Sequence, residues 1–428
     1  MTGPRVLAIM GSGETAPTMA KVHRSLFDRF GEKGVPAVIV DTPYGFQENA
    51  DDLSARTLEF FATSVGNPVE VASFRTRDVD ALTQSTAVAR IREARYVMAG
   101  PGSPSYALRQ WAGGPIPDAL AEKLAGGGIL TLASAAALTL GLVTIPVYEI
   151  YKVGEDPRWL EGLDLLGAAT GLRAAVVPHY DNAEGGNHDT RFCYMGARRL
   201  QALEATRPEG SFILGVDSHT ALVLDLETGL ASVAGLGGVT VRVDGRSTRF
   251  EPGAELAIEA LGEAARGLAA GESAEAVLDA ALAGSDGAAA TARRPGVAPL
   301  RDEMTTLEGS FVAALDRDDV QDAVASLLEL DSAIAGRVRA GEDSPDLDNA
   351  SATFRSLIVR LGERAATGGR IPRETVDALV AGLLVVRETA RANRDFATAD
   401  LIRDRLTEAG IEVRDGADGS TWVLANAG

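Results

Sequence analysis

Over the first 140 residues, short runs of apolar, often β-branched residues alternate with longer stretches of helical spacing. The runs cover residues 6–10, 37–40, 69–74, 96–99 and 129–132. An uninterrupted apolar run of this length reads as a strand buried on both faces, and the gaps are long enough for crossover helices. The pattern predicts an α/β fold: a doubly wound, mostly parallel sheet. After Gly171 the spacing shortens. Runs at 174–178, 212–216, 221–226, 230–233, 239–243 and 247–250 follow one another, separated by turn signals such as Glu227-Thr228-Gly229 and Asp244-Gly245. These predict antiparallel additions to the sheet.

Residues 254–283 are rich in Ala and Leu at helical spacing, and the stretch that follows loses periodicity in Gly, Ala, Thr, Arg and Pro. That composition is a linker's. Beyond it, residues 307–315, 320–338, 352–364 and 375–391 carry apolar positions three and four apart, which predicts a separate all-α domain. The expected organisation is an α/β domain over 1–285, a linker over 286–297 and a helical domain over 298–428.

Charge narrows the partners. Sixty acidic residues against 41 basic ones give a net charge of -19, which disfavours non-specific attraction to nucleic acid or anionic membrane. Any polyanion would have to meet a local basic surface. The helical half has arginine but no lysine and is itself acidic. The single cysteine, Cys193, allows no internal disulfide and no Cys-rich zinc site. The first apolar run is too short for a signal sequence, and none approaches the roughly 20 residues of a membrane span. A soluble, cytoplasmic protein without membrane attachment is expected.

The fifth run ends on Ser134, in Ile129-Leu130-Thr131-Leu132-Ala133-Ser134-Ala135-Ala136-Ala137-Leu138. A serine between a buried strand and a helix stands where α/β hydrolytic enzymes place a nucleophile, although it could equally be a small residue that lets the helix pack closely. Leu132 and Ala136 occupy the positions of the usual elbow glycines. The turn Gly100-Pro101-Gly102 follows the preceding strand, so amides near Gly100 and Gly102, with that of Ala135, could form an oxyanion hole. A base must come from four histidines, of which His179 ends an apolar run and should emerge at a sheet edge. Gly11-Ser12-Gly13-Glu14-Thr15 lacks the rest of a phosphate loop or dinucleotide fingerprint. His179, Asp181 and His188 lack a recognised metal-ligand spacing. No cofactor and no metal are expected.

Pro178-His179-Tyr180-Asp181-Asn182, followed by Thr190-Arg191 and Ala197-Arg198, resembles the P-H-[FY]-x-N...T-R-x-x-R segment of the peptidase S51 family, dipeptidase E and the cyanophycinases. Gly215-Val216-Asp217-Ser218-His219-Thr220 is similar to the cyanophycinase G-I-D-E-x-T segment. The resemblance covers about residues 5–250 and implies a class I glutamine-amidotransferase-like fold with Ser134-Ala135 at the nucleophile turn and His179 as base. It implies Glu149, about fifteen residues after the serine, as the orienting acid, with Asp217 second. It also implies Asn182, Arg191 and Arg198 as substrate-binding residues. The expected activity is serine hydrolysis of a small peptide or related amide. A cysteine-dependent amidotransferase is disfavoured, since Cys193 lies elsewhere.

The helical half carries a second resemblance. Residues 387–391 and 395–406, then Gly410-Ile411 and Gly419-Ser420-Thr421-Trp422, are similar to the end of cysteinyl-tRNA synthetases. That implies a helix closed by Gly410 and a hairpin anchored by Trp422. The H-I-G-H and K-M-S-K-S motifs and the zinc cysteines of a synthetase are absent. The resemblance implies tRNA as a partner, with Arg391, Arg394 and Arg403 as candidate contacts. A homodimer is the further partner expected. The alternative reading is a non-catalytic, ligand-sensing protein that engages tRNA or a translation partner through this half.

Overall fold

A computed structural model describes residues 3–182, 184, 188–283, 300–317 and 319–339, then scattered helical positions from 350 to 406 and the strands of a terminal hairpin. The chain forms two compact units, Met1–Leu357 and Ile358–Gly428. In the first unit the five opening runs become β1 (Arg5–Met10), β2 (Ala37–Val40), β3 (Glu70–Ala72), β4 (Tyr96–Ala99) and β5 (Gly128–Ala133). They pair in parallel in the order β1-β5-β4-β2-β3.

The crossovers carry α1 (Pro17–Asp28), α2 (Ala50–Phe60), α3 (Ala81–Glu93), α4 (Pro104–Trp111) and α5 (Pro115–Gly126). Alternate strand residues serve opposite faces. Leu7, Ile9, Val97 and Leu130 share a core with Ile91, Ile116 and Leu120, whereas Val6, Ala8, Tyr96 and Ile129 share another with Met19, Leu26 and Phe27. Because β5 lies between β1 and β4, its carboxyl end opens between the glycine turns that end those two strands.

The chain continues through α6 (Ser134–Leu138), β6 (Val143–Thr144), β7 (Leu160–Glu161), α7 (Leu165–Thr170), β8 (Ala174–Val177) and α8 (Gly196–Ala205). Then come β9 (Phe212–Val216), β10 (Thr220–Asp225), β11 (Leu230–Gly235), β12 (Val239–Val243), β13 (Arg246–Phe250) and β14 (Glu255–Ala257). The strands expected as additions to one sheet divide between two. β10, β11 and β14 extend the main sheet antiparallel beyond β1, making eight strands, while β8, β9, β12 and β13 form a separate sheet in the order β13-β12-β9-β8. Within it β8 and β9 are parallel. The apolar pattern fits either destination, since β9, β10 and β12 are buried along nearly their whole length. The backbone corners decide it: His219 at φ +53 and Gly235 at φ +115 redirect the chain, and a Cβ on Gly235 would lie 2.3 Å from the His219 carbonyl oxygen.

Helices α9 (Ile258–Ala270) and α10 (Ala274–Ala283) pack on the second sheet. The expected linker, 286–297, lies outside the described residues. Helices α11 (Leu300–Asp316) and α12 (Val320–Arg339) belong to the first unit, where α12 packs on α1 and Ser332 Oγ donates to the Leu236 carbonyl at 3.2 Å. Much of the expected helices at 352–364 and 375–391 lies outside the described residues, as do Arg391 and Arg394; Arg403 is helical and exposed. The second unit ends in the antiparallel hairpin of β15 (Ile411–Gly416) and β16 (Gly419–Leu424). Among the described residues no helix is long and apolar enough to cross a membrane.

One buried imidazole ties α1 to the sheet edge. His23 is fully buried among Phe60, Phe61 and Tyr96, with Nε2 2.8 Å from the Glu14 carbonyl oxygen and Nδ1 2.8 Å from the Tyr96 hydroxyl. A carbonyl only accepts, so Nε2 carries the proton and Nδ1 accepts from the tyrosine. Burial pushes the His23 pKa down to about 4. The unfolded chain then binds a proton that the folded chain refuses between about pH 6.5 and 4, so stability is present above that window and falls as pH drops through it. The loss expected by pH 4 is on the order of 3 kcal/mol. Urea denaturation at pH 7 and pH 4 checks this: His23→Asn should flatten that part of the pH dependence, and an unchanged slope would overturn it.

Candidate active site

Ser134 opens α6 at φ +50, directly after Ala133 in extended conformation. A left-handed backbone costs a non-glycine residue roughly 1–2 kcal/mol, so it persists only where its surroundings enforce it. The enforcement is visible on both sides. Leu132 and Ala136, which replace the usual elbow glycines, are fully buried in the core, and the Ala136 amide donates to the Gly100 carbonyl at 3.2 Å. The turn is therefore sharp without glycine.

His179 follows β8 and is also left-handed, at φ +47. Its carbonyl accepts from the amides of Asn182 at 3.2 Å and Cys193 at 3.1 Å, which fixes that geometry. The ring reaches back across the two sheets, placing Nε2 2.8 Å from Ser134 Oγ. Burial is the main influence on the imidazole and pushes its pKa down; the charges of Glu184 and Asp181 oppose this, and His219 adds to it. A neutral imidazole accepting from a serine hydroxyl is the arrangement that activates a nucleophile.

The remaining expected residues are distributed around this pair. Glu149 accepts from Ser105 Oγ at 2.9 Å. Asp217 is buried, accepting from the Gly238 amide at 2.9 Å and pairing with Arg249 at 2.5 Å. Neither carboxylate makes a hydrogen bond to His179 among the described residues, and His179 Nδ1 has no partner there. Gly102, at φ +136, is backed against Pro43, whose carbonyl oxygen would lie 1.9 Å from an added Cβ. The Ala135 amide, in the first turn of α6, makes no hydrogen bond outside that helix among the described residues. Asn182 is buried, with Oδ1 accepting from the Glu184 amide at 3.1 Å. Arg191 is exposed and holds Asp189 through two bonds of 2.8 and 2.9 Å, and Arg198 is exposed on α8.

Several neighbours were not expected from the sequence. Asp181 accepts from the Ser218 amide at 2.7 Å, and Tyr194 donates to Glu184 at 2.6 Å while its ring lies 6.2 Å from that of His179. His219 is also left-handed, with Nδ1 2.9 Å from Thr18 Oγ1. Asp181 could have been found, since it falls inside the Pro178–Asn182 motif; Glu184 and Tyr194 carry no such signal. His188 contacts the Tyr151 hydroxyl at 3.2 Å, and among the described residues no group of three His, Cys, Asp or Glu is placed to hold a metal ion. A cleft of about 510 Å³ beside Thr18, Leu236 and Glu329 is not lined by Ser134 or His179, so side-chain geometry rather than cavity size marks the site.

Residues 374–422 match the family described as the cysteinyl-tRNA ligase anticodon binding domain. The cysteine-tRNA ligase of Micrococcus luteus is 35% identical over 159 residues, covering 33% of this chain and 31% of that protein. That of Paenarthrobacter aurescens is 37% identical over 142 residues, covering 30% and 27%. The chain thus spans about a third of the length of these relatives. A crystal structure of a peptidase from an acI-B1 Actinobacterium is 21% identical, with a TM-score of 0.48 over 60% of this chain and 97% of that one.

Replacing Ser134 by Ala or by Gly removes the same hydroxyl, but only glycine accepts φ +50 without a Cβ clash. Ser134→Gly is expected to be more stable than Ser134→Ala by roughly 1 kcal/mol. Urea denaturation at pH 7 compares them, and equal stabilities would argue against a left-handed residue at this position.

Proposed function

We propose that residues 1–285 are a serine hydrolase of peptide or related amide bonds, and the observation that carries this reading is the 2.8 Å contact between Ser134 Oγ and His179 Nε2 at the carboxyl end of β5. Ser134 Oγ attacks the substrate carbonyl carbon as its proton passes to His179 Nε2. The amide of Ala135, with those near Gly100 and Gly102, meets the oxygen that gains charge. The imidazolium then returns the proton to the leaving amine, and water repeats the sequence to release the acyl group. Asp181 and Glu184 favour the imidazolium electrostatically. Glu149 and then Asp217 are the carboxylates the family resemblance offers to orient the ring, with Asn182, Arg191 and Arg198 toward the substrate. The boundary between this part and the tRNA-ligase-like part is placed at 286–297.

Fluorophosphonate labelling of the full chain tests the pair together, since the Oγ–P bond forms and the P–F bond breaks only as the Oγ proton moves to a base. Ser134→Ala should abolish labelling and His179→Ala should slow it roughly 10⁴-fold, the double variant being no worse than the serine variant alone. Cys193→Ala should have no effect, because burial pushes that thiol up to about 12. The base must be unprotonated, so the labelling rate is full above the His179 pKa and declines as pH falls through it. Since that pKa is depressed, the midpoint should lie below the ordinary 6.5 or so. Folded wild-type protein that resists the probe would overturn the hydrolase reading.

The match over 374–422 favours tRNA as a second partner. With a net charge of -19, binding would rest on a local arginine cluster, with Arg391, Arg394 and Arg403 as candidates, and affinity should fall steeply with salt. Titration of the full chain with tRNA at two salt concentrations decides it: absence of binding at the lower one would leave a protein-docking role for this part.

A further inference from the structure

Glu14, on the turn that ends β1, is a buried acid with no counter-charge. It is 5% exposed, its carboxyl accepts from its own backbone amide, and it forms no ion pair among the described residues. Its backbone is fixed, because the Glu14 carbonyl accepts from His23 Nε2 at 2.8 Å and the preceding Gly13, at φ +72, is packed against the His219 ring. The side chain reaches the turn after β4: a Cβ built on Gly100 would lie 3.0 Å from Glu14 Oε1. Since β1 and β4 flank β5 on opposite sides, a group that starts on one turn and touches the other must cross the carboxyl end of β5. Ser134 stands at that end. The acid therefore lies between the two turns that frame the serine.

Its protonation state follows from its surroundings. Burial raises the Glu14 pKa, its own amide being the smaller, opposing influence, which favours the protonated carboxyl, the form that can donate. Donors are scarce on the facing turn. Pro101 has no N–H and the Ala136 amide is occupied by the Gly100 carbonyl, which leaves the amides at Gly100 and Gly102. A neutral acid held in an apolar site can serve as a donor to developing negative charge.

Resting on the Ser134–His179 reading, we infer that the Glu14 carboxyl donates a hydrogen bond, alongside the Ala135 amide, to the oxygen of the carbonyl that Ser134 attacks. As the Oγ–C bond forms, the carbonyl π electrons move onto that oxygen. Glu14 keeps its proton throughout and shares it with the oxyanion, while the transferred proton is the one His179 takes from Oγ.

The test is the saturating rate of fluorophosphonate labelling of the full chain, because the phosphoryl oxygen occupies the oxyanion's place. Glu14→Met, which keeps size and loses the donor, should lower that rate about 10²- to 10³-fold with the half-saturating probe concentration unchanged. Glu14→Gln keeps a donor and should stay within about tenfold of wild type. Glu14→Leu takes the place of the methionine variant should that one melt at a lower temperature than wild type. A methionine or leucine variant that is folded and labels as fast as wild type overturns this inference alone. So does a glutamine variant as slow as the methionine one. Folded wild-type protein that is not labelled at all overturns the serine hydrolase reading, and this inference with it.

Discussion

Asp217 holds the corner where the two sheets of the first unit meet. Its carboxylate accepts from the Gly238 amide and pairs with Arg249, its carbonyl lies so close to Gly11 that a Cβ there would come within 1.9 Å, and its amide donates to the Gly238 carbonyl at 3.1 Å. From this corner β9 leads into the second sheet beside β8, while β10 leads into the first beside β1 and so to β5. The 2.8 Å contact between Ser134 and His179 spans that whole chain of registers. A slip of one residue in any pairing would turn the following side chain to the opposite face. Removing Arg249 would leave the buried Asp217 carboxylate without its counter-charge, so the corner is costly to disturb.

Backbone strain is concentrated where the sheets converge. Ser134, His179 and His219 are all left-handed, each beyond the end of a buried strand. None is glycine, and each needs external restraint: the Ala136–Gly100 hydrogen bond for the first, two amides on its carbonyl for the second, the Leu236 amide at 2.9 Å for the third. Strain held in this way is affordable only in a core that over-determines the backbone, and the buried β1, β5, β8 and β9 supply one. Such outliers motivate a functional reading more strongly than the presence of a serine and a histidine in the sequence does.

The electrostatics around His179 differ from what the linear motifs imply. Glu149 lies against Ser105 and Asp217 against Arg249, while the charges that act on the imidazole come from Glu184 and Asp181. A motif reports which residues are near one another in sequence. The field at a ring nitrogen depends on distance and burial, to which residues from β8, the loop after it and the corner all contribute. Glu14 is a further case: nothing in Gly11-Ser12-Gly13-Glu14 says that its carboxyl reaches the turn after β4, because the strand order is β1-β5-β4 and not the order of the chain.

The sequence by itself determined the strands, their parallel pairing and the position of Ser134 at the end of one of them. Buried strands are written as continuous apolar runs, and a run's length and flanking glycines are local properties. It also determined the relation of residues 374–422 to the anticodon binding domain of cysteinyl-tRNA ligases, which is carried by residue identity. Only the tertiary structure decided that the later strands divide between two sheets, since β9 and β10 are equally apolar and the corner at Asp217 and His219 separates them. It alone brought Ser134 of one sheet to His179 of the other, and set the carboxylates around them. Those are long-range distances, fixed by sheet order and by backbone conformations that no residue type announces.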